Sequence, residues 1–380
     1  MSSSRKSPVL GLFYFPFMLH ILQTTITCHK PQSTKEGIIM NDYDKKESES
    51  MLLYMKEKAE ENFNELFLHP YNYYTDAVIK RAETSISAIE TAVLGPANKR
   101  ERSALNADAA HIKAGNDILQ TYLETMGRNC PSFDAFSIEK ATRYGDPHYV
   151  GQVLLRERRA LYALKSYLAT AGMTPEEMCD KYKVDISACG PNRMGDIRRH
   201  IKPNRYLPFK ITRSFRIRNK ATDDAFYALK KAEDYDDAHI HIAYNGTITA
   251  SMPGIIFNGM KIDKTVQVGL LNGNAAYLTF DPVKALLYSD LIGAKWKSGQ
   301  SKKAYLGVYK VLYKNPMHLD AYSPQIGGVK KTRETLRPYD AIVAHKGYLM
   351  APGRPLKSGE LSIYDERQIT LMYVVEVEAA

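Results

Sequence analysis

The sequence predicts an α+β protein, with an all-helical N-terminal domain followed by a mixed α/β C-terminal domain. From Glu47 to about Lys183 apolar residues recur at helical spacing, whereas beyond residue 206 short runs rich in β-branched and aromatic residues alternate with Gly, Pro and Asn clusters. A strongly basic stretch separates the two textures.

The N-terminus carries a signal of its own. Arg5 and Lys6 precede the apolar stretch Val9 to Gln23, and the uncharged run Thr24 to Thr27 follows. A cationic start, an apolar stretch and a small uncharged exit read as a secretory signal peptide over residues 1–27, which favours export. With Pro16 inside it, the stretch falls short of the roughly 20 residues of a membrane-crossing helix, so no stable membrane span is expected. Translation starting at Met40 would instead give a nuclear or cytoplasmic protein, because the segment after it is polar.

Within the expected helical domain, residues 28–190, Met51, Met55, Ala59, Phe63 and Leu66 share one helical face. Thr75 to Leu94 repeats the pattern with Val78, Ala82, Ile86, Ile89 and Val93, and stops at Gly95-Pro96. Ser103 to Thr125 and Tyr149 to Ala171 are similar, and Thr174-Pro175-Glu176-Glu177 has the N-cap, proline and acidic first turn of a further helix. These stripes predict core.

Residues 191–206 are expected to be a basic linker. Pro191 to Lys220 holds ten Lys or Arg against Asp196 alone, nearly the whole of the chain's formal charge of +10. The run from Arg193 to Lys220 is therefore a candidate contact for nucleic acid, or else a solvated linker and edge strand. After it, strands are expected at Ile211 to Ile217, His239 to Tyr244, Ala304 to Tyr313, Asp340 to His345, Leu361 to Tyr364 and Gln368 to Val377. Two short helices, Thr249 to Asn258 and Asp281 to Asp290, lie between them.

With 44% apolar and 25% charged residues, the 380-residue chain is no disordered polymer, collagen or polytopic membrane protein. Its four cysteines have no metal-ligand spacing, and Cys179 and Cys189 are either buried thiols or, in an oxidising compartment, a short-loop pair. Phosphate-binding loops, strand-anchored dinucleotide fingerprints, zincin motifs and serine-hydrolase elbows are missing. His239 and His241 could share a strand face, but no third ligand accompanies them, so no metal is expected.

Three separated segments carry the functional argument. The first runs Ile242-Ala243-Tyr244-Asn245-Gly246-Thr247 and then Pro253-Gly254-Ile255-Ile256-Phe257-Asn258-Gly259-Met260; the second is Asn272-Gly273-Asn274-Ala275-Ala276-Tyr277-Leu278-Thr279-Phe280. The third is Gly359-Glu360-Leu361-Ser362-Ile363-Tyr364-Asp365-Glu366-Arg367-Gln368. In order and spacing they resemble the catalytic domain of the poly(ADP-ribose) polymerase family, with its His-Gly strand, Gly-x-Gly-x-Tyr-Phe strand and late Glu-containing strand. The likeness covers about Leu207 to Glu378, under half of the chain.

That resemblance implies an ADP-ribosyltransferase-like domain over residues 207–380 with a split antiparallel sheet, and NAD+ as substrate without a metal. Cleaving NAD+ leaves an oxocarbenium-like ribose, so the site must hold nicotinamide, set a carboxylate near the developing charge and exclude stray water. The family roles would fall on Gly246, whose backbone pairs with the carboxamide, on Tyr277 and Tyr288, which sandwich the ring, and on Glu360, which accepts from the ribose 2′-hydroxyl. Asn245 stands where the family has the His that holds the adenosine ribose, and still offers an amide donor. Ala285 replaces the Ser that bonds the carboxamide, and Ala275 replaces the second glycine of the Tyr strand. The implied activity is transfer of ADP-ribose to a protein or other nucleophile. The alternatives are a weak or inactive module binding NAD, ADP-ribose or nucleic acid, and a secreted NAD glycohydrolase.

Overall fold

The computed structural model describes residues 42–94, 109–129, 147–203, 207–262, 272, 275–294, 301–324, 333–351 and 354–380. The expected signal segment 1–27, Met40, Cys28, Cys130 and Arg205 lie outside these residues.

Helix α1 (Asp42–Leu66) opens the described chain, and its apolar stripe serves two cores. Met51, Leu52 and Met55 pack with sheet residues including Phe215, Tyr305 and Val374. Ala59 and Phe63, one and two turns on, join Ile86, Leu119 and Leu161 from α2 (Asp76–Leu94), α3 (Ala109–Thr125) and α4 (Pro147–Leu168). Helix α5 (Pro175–Tyr182) begins as its sequence predicts: Thr174 Oγ1 accepts from the Glu177 N–H at 3.2 Å, and the Glu177 carboxylate accepts from the Thr174 N–H at 2.7 Å.

The architecture is mixed α and β with predominantly antiparallel sheets. Strands β1 (Val184–Ala188), β2 (Phe209–Asn219), β3 (Ile240–Gly246), β5 (Lys303–Leu312) and β11 (Ile369–Ala379) form a five-stranded antiparallel sheet in the order β1-β2-β11-β5-β3. A four-stranded sheet runs β4-β10-β7-β6, from Ala276–Leu278, Glu360–Ile363, Ala341–Ala344 and Pro316–Leu319. Its β6–β7 pair is parallel, a departure from the all-antiparallel expectation. Helices α6 (Pro191–His200), α7 (Lys220–Ala232), α8 (Met252–Asn258), α9 (Pro282–Leu286) and α10 (Arg333–Leu336) lie between strands, and β8 (Leu349–Ala351) pairs with β9 (Arg354–Pro355). No helix of the described residues is long and apolar enough to cross a membrane.

Two expectations about organisation are corrected. Residues 191–206 are not simply a linker: Gly190 caps α6, Pro191 starts it, and Met194 and Ile197 bury one face. Nor is the chain up to residue 190 all helical, because β1 adds an edge to the large sheet, burying Val184 and Ile186 on one face with Asp185 exposed between them. A strand of five residues directly after a helix offers too short an alternation to stand out in the sequence. Cys179 and Cys189 are both free thiols, and burial pushes the Cys179 thiol up to about 11.

The basic run meets acids both close by in the chain and far from it. Lys210 pairs with Glu378 at 3.0 Å, Lys220 with Asp224 at 2.6 Å, and Arg199 with Asp196. Arg213 bridges Glu376 of β11 and Glu47 of α1, both at 2.6 Å. Glu376 is 1% exposed and also accepts from Thr212 Oγ1 at 2.7 Å and Tyr305 Oη at 2.9 Å. Burial pushes the Glu376 carboxyl up, but hydrogen bonds from Arg213 and Thr212 and the guanidinium charge outweigh it and hold the group down to about 2.

Because the folded-state value lies below the ordinary 4.5, the stabilisation from Glu376 is complete above about pH 4.5 and fades as pH falls toward 2. Glu376→Gln should cost about 3 kcal/mol at pH 7, since it strips a buried partner from Arg213. It should also flatten the loss of stability between pH 4.5 and 2, measured by urea unfolding across that range. An acid limb as steep as that of the unaltered protein would assign the sensitivity to other carboxyls.

Candidate functional site

Among the described residues one backbone pair joins the two sheets: the Tyr244 N–H donates to Thr279 O at 2.8 Å and the Thr279 N–H to Tyr244 O at 2.9 Å. Successive residues of a strand turn their backbone groups to opposite edges. Asn245 therefore turns toward β5, opposite Gly307, and Gly246 turns its N–H and C=O to the same open edge as Tyr244. No strand pairs with Gly246 on that edge among the described residues, so one donor and one acceptor stand ready for an amide.

Glycine is required there by space. A Cβ on residue 246 would lie 2.0 Å from the Ala285 carbonyl oxygen, so α9 is seated directly against the strand. Asp281 caps α9, accepting from the N–H groups of Val283 at 2.9 Å and Lys284 at 3.2 Å, and Ser358 Oγ donates to the same carboxylate at 2.9 Å. Thr279 Oγ1 donates to Gly359 O at 2.8 Å, fixing the approach to β10 from the β4 side.

Glu360, the first residue of β10, is 13% exposed at its side chain and forms an ion pair with Lys284 Nζ through Oε1 at 2.8 Å. Lys284 is as enclosed, at 12%, and its ammonium also donates to Ser358 O at 2.8 Å and Gly359 O at 3.2 Å. The carboxylate is thus held by one oxygen and retains acceptor capacity on the other.

Both expected tyrosines feel this carboxylate. Burial, with the Glu360 charge adding to it, pushes the Tyr288 hydroxyl up to about 12. Burial also raises Tyr277, whose hydroxyl accepts from the Asn272 N–H at 2.9 Å and again lies within reach of the Glu360 charge. Tyr288 is 37% exposed at the mouth, and the positive charge of Arg159 from α4 acts on it. Tyr277 and Tyr288 thus lie within the electrostatic reach of Glu360, and Gly246 abuts Ala285, the chain neighbour of the Lys284 that pairs with Glu360.

Asn245 sits differently from the expectation. Its amide Nδ2 donates to Tyr277 O at 3.0 Å, so it staples β3 to β4 beside the Tyr244–Thr279 pair and has one N–H left for a ligand. Ala285 is buried and contributes its carbonyl to the Gly246 contact. His239 closes a cap with Asp236, while His241 stacks on Tyr313 with ring centroids 3.7 Å apart, its imidazole pushed down to about 4 by burial. Among the described residues no three His, Cys, Asp or Glu side chains converge as metal ligands. Lys284 is the site residue that the sequence argument passed over. Its signal was a lone cation in the otherwise apolar helix Pro-Val-Lys-Ala-Leu, next to Ala285.

In comparison with known proteins, no family model matches this chain and no curated protein matches it.

Gly246→Ala should destabilise the protein by about 2 kcal/mol or more, because the Ala285 carbonyl belongs to a capped helix that cannot yield 1 Å without breaking other contacts. Gly195→Ala in α6, where a Cβ meets nothing within 4 Å, should be neutral or stabilising by up to about 1 kcal/mol. Thermal or urea denaturation compares the two, and equal stabilities would refute the close approach.

Proposed function

We propose that the protein is an NAD+-dependent ADP-ribosyltransferase that breaks the nicotinamide–ribose bond and passes ADP-ribose to a nucleophile on a protein or other acceptor. The observation that supports this best is the convergence of the open Gly246 edge, two tyrosine rings and the anchored Glu360 carboxylate.

Each part answers one demand of the reaction. The carboxamide of nicotinamide is itself a donor and an acceptor, and it pairs with the C=O and N–H of Gly246 much as a strand would. Tyr277 and Tyr288 offer flat faces to the ring. Glu360 accepts from the ribose 2′-hydroxyl through its second oxygen and lies beside the positive charge that grows as nicotinamide leaves. Lys284 offsets part of that negative charge, so its contribution is orientation: it fixes Oε1 and with it the direction of the remaining lone pairs. The missing hydroxyl at Ala285 weakens carboxamide binding by about 0.5–1.5 kcal/mol.

The second reading is a module on the same pocket that binds NAD or ADP-ribose with little or no turnover. Two features favour it: an amide proton of Asn245 is already spent on Tyr277 O, and Ala285 brings no hydroxyl. One assay separates the possibilities. Incubation of the full chain with labelled NAD+ yields free nicotinamide and protein-bound label for a transferase, nicotinamide alone for a glycohydrolase, and neither for a binding module.

Glu360→Gln should lower label transfer by at least about 100-fold while NAD+ affinity stays within a few-fold, because the charge matters mainly in the transition state. Equal turnover by this variant would remove Glu360 from the chemistry.

Lys284→Met should lower kcat by about 10- to 100-fold with a smaller change in KM, as the carboxylate loses its anchor. Lys284→Arg should recover part of the rate, and a change confined to KM would argue against an orienting role.

A further inference from the structure

A cavity of about 1120 Å³ opens between α2, α4, α5 and α8, and its walls share no residue with the NAD site. Its shape follows from one close contact. Gly254 of α8 lies so near α4 that a Cβ would stand 2.6 Å from Ser166 Oγ, and that hydroxyl accepts from the Gly254 N–H at 2.9 Å. Helix α8 is pinned to α4 at this point, and the space beside the contact is left to Ile79, Leu161 and Leu168. The volume is somewhat above the usual range for small-molecule sites, so the cavity has room for a ligand with an extended body.

The charges around it are unevenly matched. Lys165 is paired with Glu83 at 2.7 Å, Lys261 with Glu366 at 3.1 Å and Arg158 with Glu90 at 2.8 Å. Lys80 and Lys181, both exposed at the rim, have no carboxylate partner among the described residues. Asp76, the remaining acid of the lining, lies in the first turn of α2, where the helix dipole already stabilises a negative charge.

Three tyrosines line the space, and two spend their hydroxyls on the protein: Tyr74 on Met126 O and Tyr182 on Ala169 O, each at 2.9 Å. Tyr162 makes no hydrogen bond to a described residue. Burial, with Glu366 adding to it, pushes its hydroxyl up to about 12, so at neutral pH it remains an O–H donor.

We propose that this cavity is a binding site for an amphipathic organic anion, its head group held by Lys80, Lys181 and the Tyr162 hydroxyl and its apolar body lying along Ile79, Leu161 and Leu168. Two ammonium groups and an O–H donor select negative charge, and the apolar wall selects a ligand with a hydrocarbon or aromatic body. The proposal stands independently of the NAD reading, since none of these residues touches that site.

Dodecyl phosphate and dodecanoate, used below the concentrations at which they aggregate, test the site by titration calorimetry on the full chain. Both should bind with one-to-one stoichiometry, and the tighter of the two identifies the preferred head group. Inorganic phosphate and dodecyltrimethylammonium should bind at least about tenfold more weakly. The double variant Lys80→Gln, Lys181→Gln should weaken dodecyl phosphate at least about tenfold with little change in urea midpoint, because both side chains are exposed and neither variant adds a like charge. Ala169→Phe, which fills the cavity from its wall, should do the same without altering charge. No binding of either anion, equal binding of the cationic amphiphile, or anion binding that survives both variants would overturn the proposal.

Discussion

The contact of Gly246 with the Ala285 carbonyl sets how closely α9 can approach β3, and much of the candidate site hangs on that distance. The strand is free of a side chain at the one point where the helix arrives, so α9 can bring Lys284 to the beginning of β10. The same approach leaves the Gly246 backbone facing an edge that no strand of the described residues fills. A larger residue would have to displace a helix held by Asp281 and Ser358, and the Lys284–Glu360 pair would move with it. The open backbone edge, the carboxylate and the cation are therefore placed by one steric allowance.

A second constraint unites the two halves of the chain. Arg213 joins a helical glutamate, Glu47, to the buried Glu376 at the centre of the large sheet, and Tyr305, Thr212 and Lys303 also reach that carboxylate. A buried carboxylate is tolerated only with such a set of donors. Two cations of the basic run, Lys210 and Arg213, are the complement of acids elsewhere in the chain.

Six strands were legible because β-branched and aromatic runs with turn residues on both sides have few other interpretations: β2, β3, β5, β7, β10 and β11 lie where the sequence puts them. β1, β4 and β6 carry too little pattern: Asp185 interrupts the β-branched residues of β1, β4 is three residues long, and β6 opens on Pro316 with no β-branched residue. Helix α7 escaped notice because its buried residues, Phe226 and Leu229, are only two, set among charges directly after a basic run. At the candidate site, a resemblance spread over three segments is what names Gly246, Tyr277, Tyr288 and Glu360. Lys284 and the stapling role of Asn245 were not, since both depend on which residues face each other across the split. The cavity beneath α2 had no sequence signal, because it is made by the space between helices.

The division of labour along α1 has a further consequence for how this molecule can be cut. Met51, Leu52 and Met55 are fully part of the sheet core, yet they lie more than 150 residues before β2, the second strand of that sheet in chain order. A fragment that starts at residue 207 would retain every proposed NAD contact and still expose a strip of naked sheet where those methionines and leucine had been. Such a fragment would self-associate through that strip, so the smallest autonomous piece of this protein has to begin ahead of α1, whatever the boundaries of its chemistry.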